Sequence, residues 1–224
     1  MTTHYSGRKT VVPDLFIEHY TAGAGTAAST AAFMERAGNS VHAIIGRNGD
    51  IEEPVAIEFT AWHAGDKNKT RTHGSRFPSA EQLQLLTCGE LALIPIAAVP
   101  YRSGAINRRS VGIEHVNLGW AYADKSDAVK KRHRNPASRD DDWQPYTAAQ
   151  IAASRLWHQK ITRLHPSIRY VCGHEDVTHR DTMGQVGAKV DPGPAFPWHD
   201  LLLGLPLQRI IYDFAEKGWA LCRE

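Results

Sequence analysis

A short, mostly apolar run at residues 168–172, Ile-Arg-Tyr-Val-Cys, gives way at once to Gly-His-Glu-Asp at 173–176. Five residues suit a strand, not a helix, and Pro166 ahead of the run and Gly173 behind it oppose helical continuation. The run therefore delivers His174 to the end of a short buried strand. Two other stretches have the same character. Residues 11–20 are rich in β-branched and aromatic side chains and end in Thr-Ala-Gly-Ala-Gly, which places His19 at a strand terminus. Residues 110–117 form the third, and Glu114 falls inside their apolar alternation. An unpaired carboxylate in that place costs several kcal/mol or takes up a proton, so it needs a reason.

Helix signals alternate with these strands. Residues 26–36 are alanine-rich and Gly38 supplies a stop. Ser79 with Gln82, and Thr147 with Gln150, have the spacing of capping boxes. They open helices expected to run to about residue 94, burying Leu83, Leu86 and Leu91, and to residue 164, burying Ile151, Leu156, Trp157 and Ile161. Residues 41–55 alternate about Arg-Asn-Gly-Asp at 47–50, a strong hairpin signal, and 56–65 read as a further strand that ends in Ala-Trp-His-Ala-Gly. Residues 66–78 and 102–109 read as loops, and 120–145 as a charged surface insertion. Residues 198–221 are helix-like, divided by Pro206. The pattern predicts an α/β fold with a central mixed β-sheet flanked by helices, in a single domain over 1–224 with loop insertions near 66–106 and 118–145.

Charge and length exclude several classes. A formal net charge of +2 and a pI near 8.4 leave no nucleic-acid footprint, and the basic cluster at 130–134 reads as solvated loop. The longest apolar run, 91–99, contains a proline and is too short to enter a membrane as a span. Three cysteines do not make a disulfide framework. With no apolar run behind the N-terminal charges, the chain is expected in the cytoplasm at synthesis.

Twelve histidines are the compositional anomaly, so position has to select among them. His174 and His179 are five apart and cannot share a helix face as a metalloprotease pair does. His174 must recruit ligands from elsewhere. Asp191 is near in sequence, inside Ala-Lys-Val-Asp-Pro-Gly at 188–193, and His19 ends a different strand. A neutral nitrogen donor, a carboxylate and the cation of Lys189 are parts that zinc hydrolases use.

Six segments taken together resemble a known family. They are Ile-Glu-His-Tyr-Thr-Ala-Gly at 17–23, Ser-Val-His-Ala-Ile-Ile-Gly-Arg-Asn-Gly at 40–49, Ala-Trp-His-Ala-Gly at 61–65, Asn107 with Ser-Val-Gly-Ile-Glu at 110–114, Gly-His-Glu-Asp at 173–176, and Lys-Val-Asp-Pro-Gly-Pro at 189–194. In this order they resemble the zinc-dependent N-acetylmuramoyl-L-alanine amidases of the amidase-2 and peptidoglycan recognition protein superfamily. The resemblance implies that His19, His174 and Asp191 hold zinc, that Glu114 is the acid/base partner of the attacking water, and that Lys189 stabilises charge on the reacting carbonyl. It also points to His42, Trp62, His63 and Asn107 as candidates near the substrate. Chemistry supports each role separately: three protein ligands leave a position open, water there is acidified toward ~7, and a carboxylate can pass its proton to the leaving amine. Where several relatives carry a tyrosine in the second strand, this chain has His42-Ala43, which leaves the role of His42 open.

The implied reaction is hydrolysis of the amide between N-acetylmuramic acid and the L-alanine of peptidoglycan or a muropeptide. The extra loops and mildly basic composition favour an endolysin that reaches the wall when a holin releases it. A cytosolic muropeptide-recycling amidase is the alternative reading, followed by a binding module that holds peptidoglycan without cutting it, or a structural zinc site.

Overall fold

The computed structural model describes residues 5–7, 11–64, 76–100, 105–136, 142–178 and 189–222. Its strands are β1 (Tyr5–Gly7), β2 (Leu15–Tyr20), β3 (Ala43–Ile45), β4 (Ile51–Glu52), β5 (Phe59–Ala61), β6 (Ile94–Pro95), β7 (Ser110–His115), β8 (Val129–Lys130), β9 (Asp142–Trp143), β10 (Tyr170–Gly173), β11 (Gln208–Asp213) and β12 (Gly218–Leu221). Its principal helices are α1 (Ala27–Ala37), α2 (Ala80–Thr87), α3 (Ala105–Arg109) and α4 (Ala148–Leu164).

Eight of the strands form one mixed sheet in the order β4-β3-β7-β2-β10-β11-β12-β6. Five strands, β3 to β11 in that order, run parallel, while β4 at one edge and β12 near the other run against them, and β6 at the far edge pairs antiparallel with β12. A strand covered on both faces does not alternate between core and solvent, and β2 is buried at all six positions, Glu18 and His19 included. Leu15 and Ile17 face a core shared with Leu83 and Leu86 of α2, and Phe16 faces the opposite core with Ile151, Trp157 and Ile161 of α4. The helices accordingly flank the sheet as the alternation of signals predicted.

Both Thr26 and Ser79 cap helices reciprocally, Ser79 with Gln82 as expected. At α4 only half of the expected box forms. Thr147 accepts from the Gln150 backbone N–H, but the Gln150 side chain turns into the sheet and donates to the carbonyls of Ile45 (2.9 Å) and Val116 (3.1 Å). An amide that bridges two buried carbonyls outweighs one local cap, even though the Ile45 carbonyl also accepts from the Val116 N–H (2.9 Å).

Several local expectations are corrected. Residues 102–109, read as loop, contain α3 within the described part. Helix α2 stops at Thr87, because Gly89 turns the chain with φ +87°, and Leu91 is left partly exposed. Leu156 points outward, 64% exposed, while its neighbour Trp157 takes the buried side. The further strand expected at 56–65 shrinks to β5, which leaves the main sheet and pairs with β1. The helix expected at 198–221 ends at Leu202; β11 and β12 follow as a hairpin, with Ile210 and Tyr212 buried alternately. That alternation has period two, and an open parallel edge of β10 is there to receive it.

The basic cluster at 130–134 is also not a solvated loop at its C-terminal end. His133 and Arg134 pair with the buried carboxylates of Glu175 and Asp176, Arg134 Nη2 lying 2.7 and 2.5 Å from them. The carboxylates draw the insertion inward, because burying them alone would leave two desolvated charges.

Candidate metal centre

Register brings the site together. His19 on β2 lies directly across from Glu114 on β7, and Glu18 lies across from Gly173 at the end of β10. One residue further along, His174 opens a 3-10 turn, His174–Asp176, beside His19. All three positions lie at the carboxyl ends of parallel strands, where open α/β sheets hold their ligands.

His19, His174 and Asp191 are 1%, 3% and 8% exposed, and their donor atoms lie within 4.8 Å of one another. His19 Nδ1 is 3.0 Å from His174 Nδ1 and 3.0 Å from Asp191 Oδ2, and His174 Nδ1 is 2.9 Å from the same oxygen. Burial pushes the Asp191 carboxyl up, but His174 and His19 beside it outweigh that and hold it well below the usual range. Burial pushes His174 down to about 4, so this ring keeps a lone pair for a ligand. Burial also works against a charged His19, which Asp191 and Glu114 overcome, raising it. Two imidazole nitrogens and one carboxylate oxygen, buried together, are a donor set that fits zinc. Among the described residues this is the only such group of three.

The Asp191 loop is held from behind by His133 of the insertion, by Tyr146 just after it and by the turn that follows β10. His133 Nε2 donates to the Val190 carbonyl (3.1 Å), Tyr146 OH donates to the Pro192 carbonyl (2.8 Å), and the Glu175 N–H donates to the Asp191 carbonyl (3.0 Å). Gly193 has φ +80°, and a β-carbon there would come within 2.8 Å of the Trp143 ring, so glycine is required on both counts.

A cavity of about 490 Å³ opens over the cluster, lined by Glu114 and Lys189 as well as the three donor residues. Glu114 is half-buried, and its Oε2 is shut off from solvent with no hydrogen-bond partner among the described residues. Burial pushes its carboxyl up to about 7, against the opposing pull of His19. Lys189 stands exposed at the rim.

Of the other candidates, Trp62 and His63 line the cavity and His42 and Asn107 do not. His42 is fully buried beneath the floor, its Nδ1 accepting from the Gly112 N–H (3.0 Å) and its Nε2 donating to the Phe59 carbonyl (3.1 Å). Asn107 Oδ1 accepts from the backbone N–H groups of His63 (3.2 Å) and Ala64 (2.9 Å). Both hold the framework and neither reaches the cleft. Trp120, 48% exposed on the 3-10 turn Gly119–Ala121, lines the cavity but escapes sequence reasoning. Its only signal is a lone aromatic beside a glycine in a polar stretch. The remaining stretch of the motif, His179 with residues 180–188, lies outside the described residues.

An open cleft with a buried donor triad and an unpaired acidic side chain at strand ends defines the machinery of a hydrolytic enzyme. Residues 8–194 match the model of the Amidase_2 family, N-acetylmuramoyl-L-alanine amidase, and the chain belongs to that family. Among solved structures, it is similar to a selenomethionine derivative of AmpD, with 19% identity, a TM-score of 0.53 and 89% of each chain covered. It is also similar to the N-acetylmuramyl-L-alanine amidase AmiD from E. coli in complex with the substrate anhydro-N-acetylmuramic acid-L-Ala-D-gamma-Glu-L-Lys, with 24% identity and a TM-score of 0.51 over 88% of this chain and 58% of that one. The N-acetylmuramoyl-L-alanine amidase LysC from Clostridium intestinale URNW shares 14% identity, with a TM-score of 0.52 over 92% of this chain and 91% of that one. At these identities the likeness is one of fold. No curated protein sequence matches the chain. No helix among the described residues is long and apolar enough to cross a membrane.

Proposed function

We propose that the chain is a zinc-dependent amidase that cleaves the bond between the lactyl carbonyl of N-acetylmuramic acid and the L-alanine nitrogen of the stem peptide. The observation that carries this reading is the convergence of His19, His174 and Asp191 with Glu114 across the strand pair beside them. A zinc ion held by those three donors supplies a Lewis acid and acidifies water in the position they leave open.

The side chains around it divide the remaining work. The Glu114 carboxylate accepts the proton of the attacking water and returns it to the departing L-alanine nitrogen, a task suited to a carboxyl raised to about 7. Lys189 offsets the negative charge that builds on the amide oxygen. Trp62 and Trp120 give the cavity flat apolar walls on which a sugar face or peptide can rest. AmiD, as its complex is described, takes an anhydromuropeptide as substrate, which supports a ligand of this chemistry in the same fold. Intact peptidoglycan, cut in the manner of an endolysin, is the substrate we assign, with the formal net charge of +2 favouring an anionic wall.

The test is hydrolysis by His19→Ala and Glu114→Ala beside the parent, each with its zinc content measured. Loss of cleavage in both, with zinc retained in Glu114→Ala, is expected. Parent-like activity in either overturns the mechanism, and zinc binding without any cleavage by the parent would make the chain a peptidoglycan-binding module.

A further inference from the structure

We infer that His63 and Ser110 form a proton-ordering relay that fixes the tautomer of His19, leaving Nδ1 as its metal-binding atom. The inference rests on the zinc reading above and assigns His63 to positioning rather than to substrate contact.

The direction of the relay follows from one short contact. Ser110 Oγ lies 2.7 Å from the carbonyl oxygen of Ile106, one turn back where α3 runs into β7. A carbonyl has no proton, so two oxygens at that separation require the single hydroxyl hydrogen of Ser110 to lie between them. Ser110 Oγ is thereby left to act as an acceptor. His63 Nε2 is 3.0 Å from it and must be the protonated nitrogen of that ring. A neutral imidazole carries one proton, so His63 Nδ1 offers a lone pair. His19 Nε2 stands 2.9 Å from that lone pair and must donate. A neutral His19, the form that can ligate a metal, then carries its lone pair on Nδ1, the atom that faces His174 and Asp191. Three bonds in series thus carry the polarity of one backbone carbonyl to the metal centre.

The surroundings are shaped to hold His63 in this pose. Asn107 fixes its backbone through the N–H groups of His63 and Ala64. Ser110, Gly112 and Glu114 alternate along one face of β7, and the ring lies against the middle one. A β-carbon on Gly112 would sit 2.4 to 2.7 Å from three atoms of the His63 ring, so that position has room for hydrogen alone. Serine, glycine and glutamate in this order give the relay its anchor, the ring its seat and the cleft its carboxylate. His174 has no such support: its Nε2 has no hydrogen-bond partner among the described residues. The two histidines therefore differ in how firmly their ligand atoms are set, and His19 is the ordered one. Partners of this kind, which hold the far nitrogen of a ligating histidine, are worth about 10- to 100-fold in metal affinity.

The test uses the full-length protein and two readouts besides turnover. In the zinc-loaded parent, nitrogen-15 NMR of the imidazoles should show His19 protonated at Nε2 and coordinated through Nδ1. Coordination through Nε2 overturns the relay. Ser110→Ala should bind zinc about 10-fold more weakly in competition with a chelator, and Ser110→Thr, which keeps the hydroxyl, should recover most of the loss. Equal affinity in the parent and Ser110→Ala refutes the relay while leaving the metal site intact. Failure of the parent to bind zinc at all brings down the metal reading itself, so the two failures are distinguishable. Because the NMR arm needs no variant, a Ser110→Ala protein that does not fold leaves the relay open to refutation.

Discussion

Arg134→Met is the most informative single perturbation away from the chemistry. The guanidinium donates to Glu175 Oε1 through Nε (2.9 Å) and Nη2 (2.7 Å), to Asp176 Oδ1 (2.5 Å) and to the Tyr212 carbonyl (2.8 Å). Its side chain is 29% exposed, but those of Glu175 and Asp176 are 4% and 0% exposed, so its removal strands two desolvated carboxylates. Breaking a buried pair in this way typically costs about 3–5 kcal/mol. The low end applies here, because Glu175 keeps its contact with His133 Nε2 and Asp176 keeps the N–H groups of Gly173 (2.9 Å) and Tyr212 (2.6 Å). A loss of about 3 kcal/mol corresponds to a melting temperature lower by roughly 6–12 °C in a chain of this size. Calorimetry and urea unfolding read that directly. Since the carboxylates sit in the 3-10 turn that begins at His174, zinc affinity should fall as well. Arg134→Met with Glu175→Gln should be more stable than Arg134→Met alone, because one stranded charge is gone. A loss below about 0.5 kcal/mol would refute the reasoning and return residues 130–134 to the status of a solvated loop.

Three more outcomes follow from the same geometry. Burial pushes His115 down to about 4 from 6.5, so between those values the unfolded chain binds a proton the folded chain refuses. Zinc-free protein should lose about 2 kcal/mol of stability from this group between pH 7.5 and pH 5, and His115→Asn should show a shallower slope by denaturant titration at each pH. Glu114 must be ionised to accept a proton, so kcat/KM of the parent should fall on acidification with an acid limb near the raised value of about 7; an acid limb at the ordinary carboxylate value near 4.5 would contradict a raised Glu114. Gly173→Ala would bring a β-carbon within 2.7 Å of Pro192 Cδ and 3.3 Å of the Asp191 carbonyl, so weaker zinc binding in a chelator competition is expected, and unchanged affinity would show that the Asp191 loop yields freely.

How much of this was legible before the structure depends on the range of each interaction. Strands β2, β7 and β10 announce themselves because a strand buried on both faces reads as a continuous apolar run. Helices α1, α2 and α4 carry their own caps or stops, which are local. Glu114 was conspicuous because it violates the pattern around it, and His19 and His174 because each closes a strand. What failed was set by distant partners. Gln150 has the spacing of a cap, but the carbonyls that claim its amide are 105 and 34 residues away. Arg134 looks solvated until Glu175 and Asp176, about forty residues on, are folded beside it. Residues 208–221 contain apolar side chains that suit a helix or a hairpin, and the choice falls to the open edge of β10. The relay from Ser110 to His19 was invisible for the same reason: its two side-chain links span 47 and 44 residues.

The most direct test of the account is mass spectrometry of the products from zinc-loaded protein given purified sacculi and, separately, soluble anhydromuropeptides, each with and without chelator. Free stem peptides beginning at L-alanine, released from sacculi and abolished by chelator, are the predicted result. Release from the soluble fragments alone would keep the amidase and contradict the wall-degrading assignment, and release from neither, with zinc bound, would contradict the catalytic reading altogether.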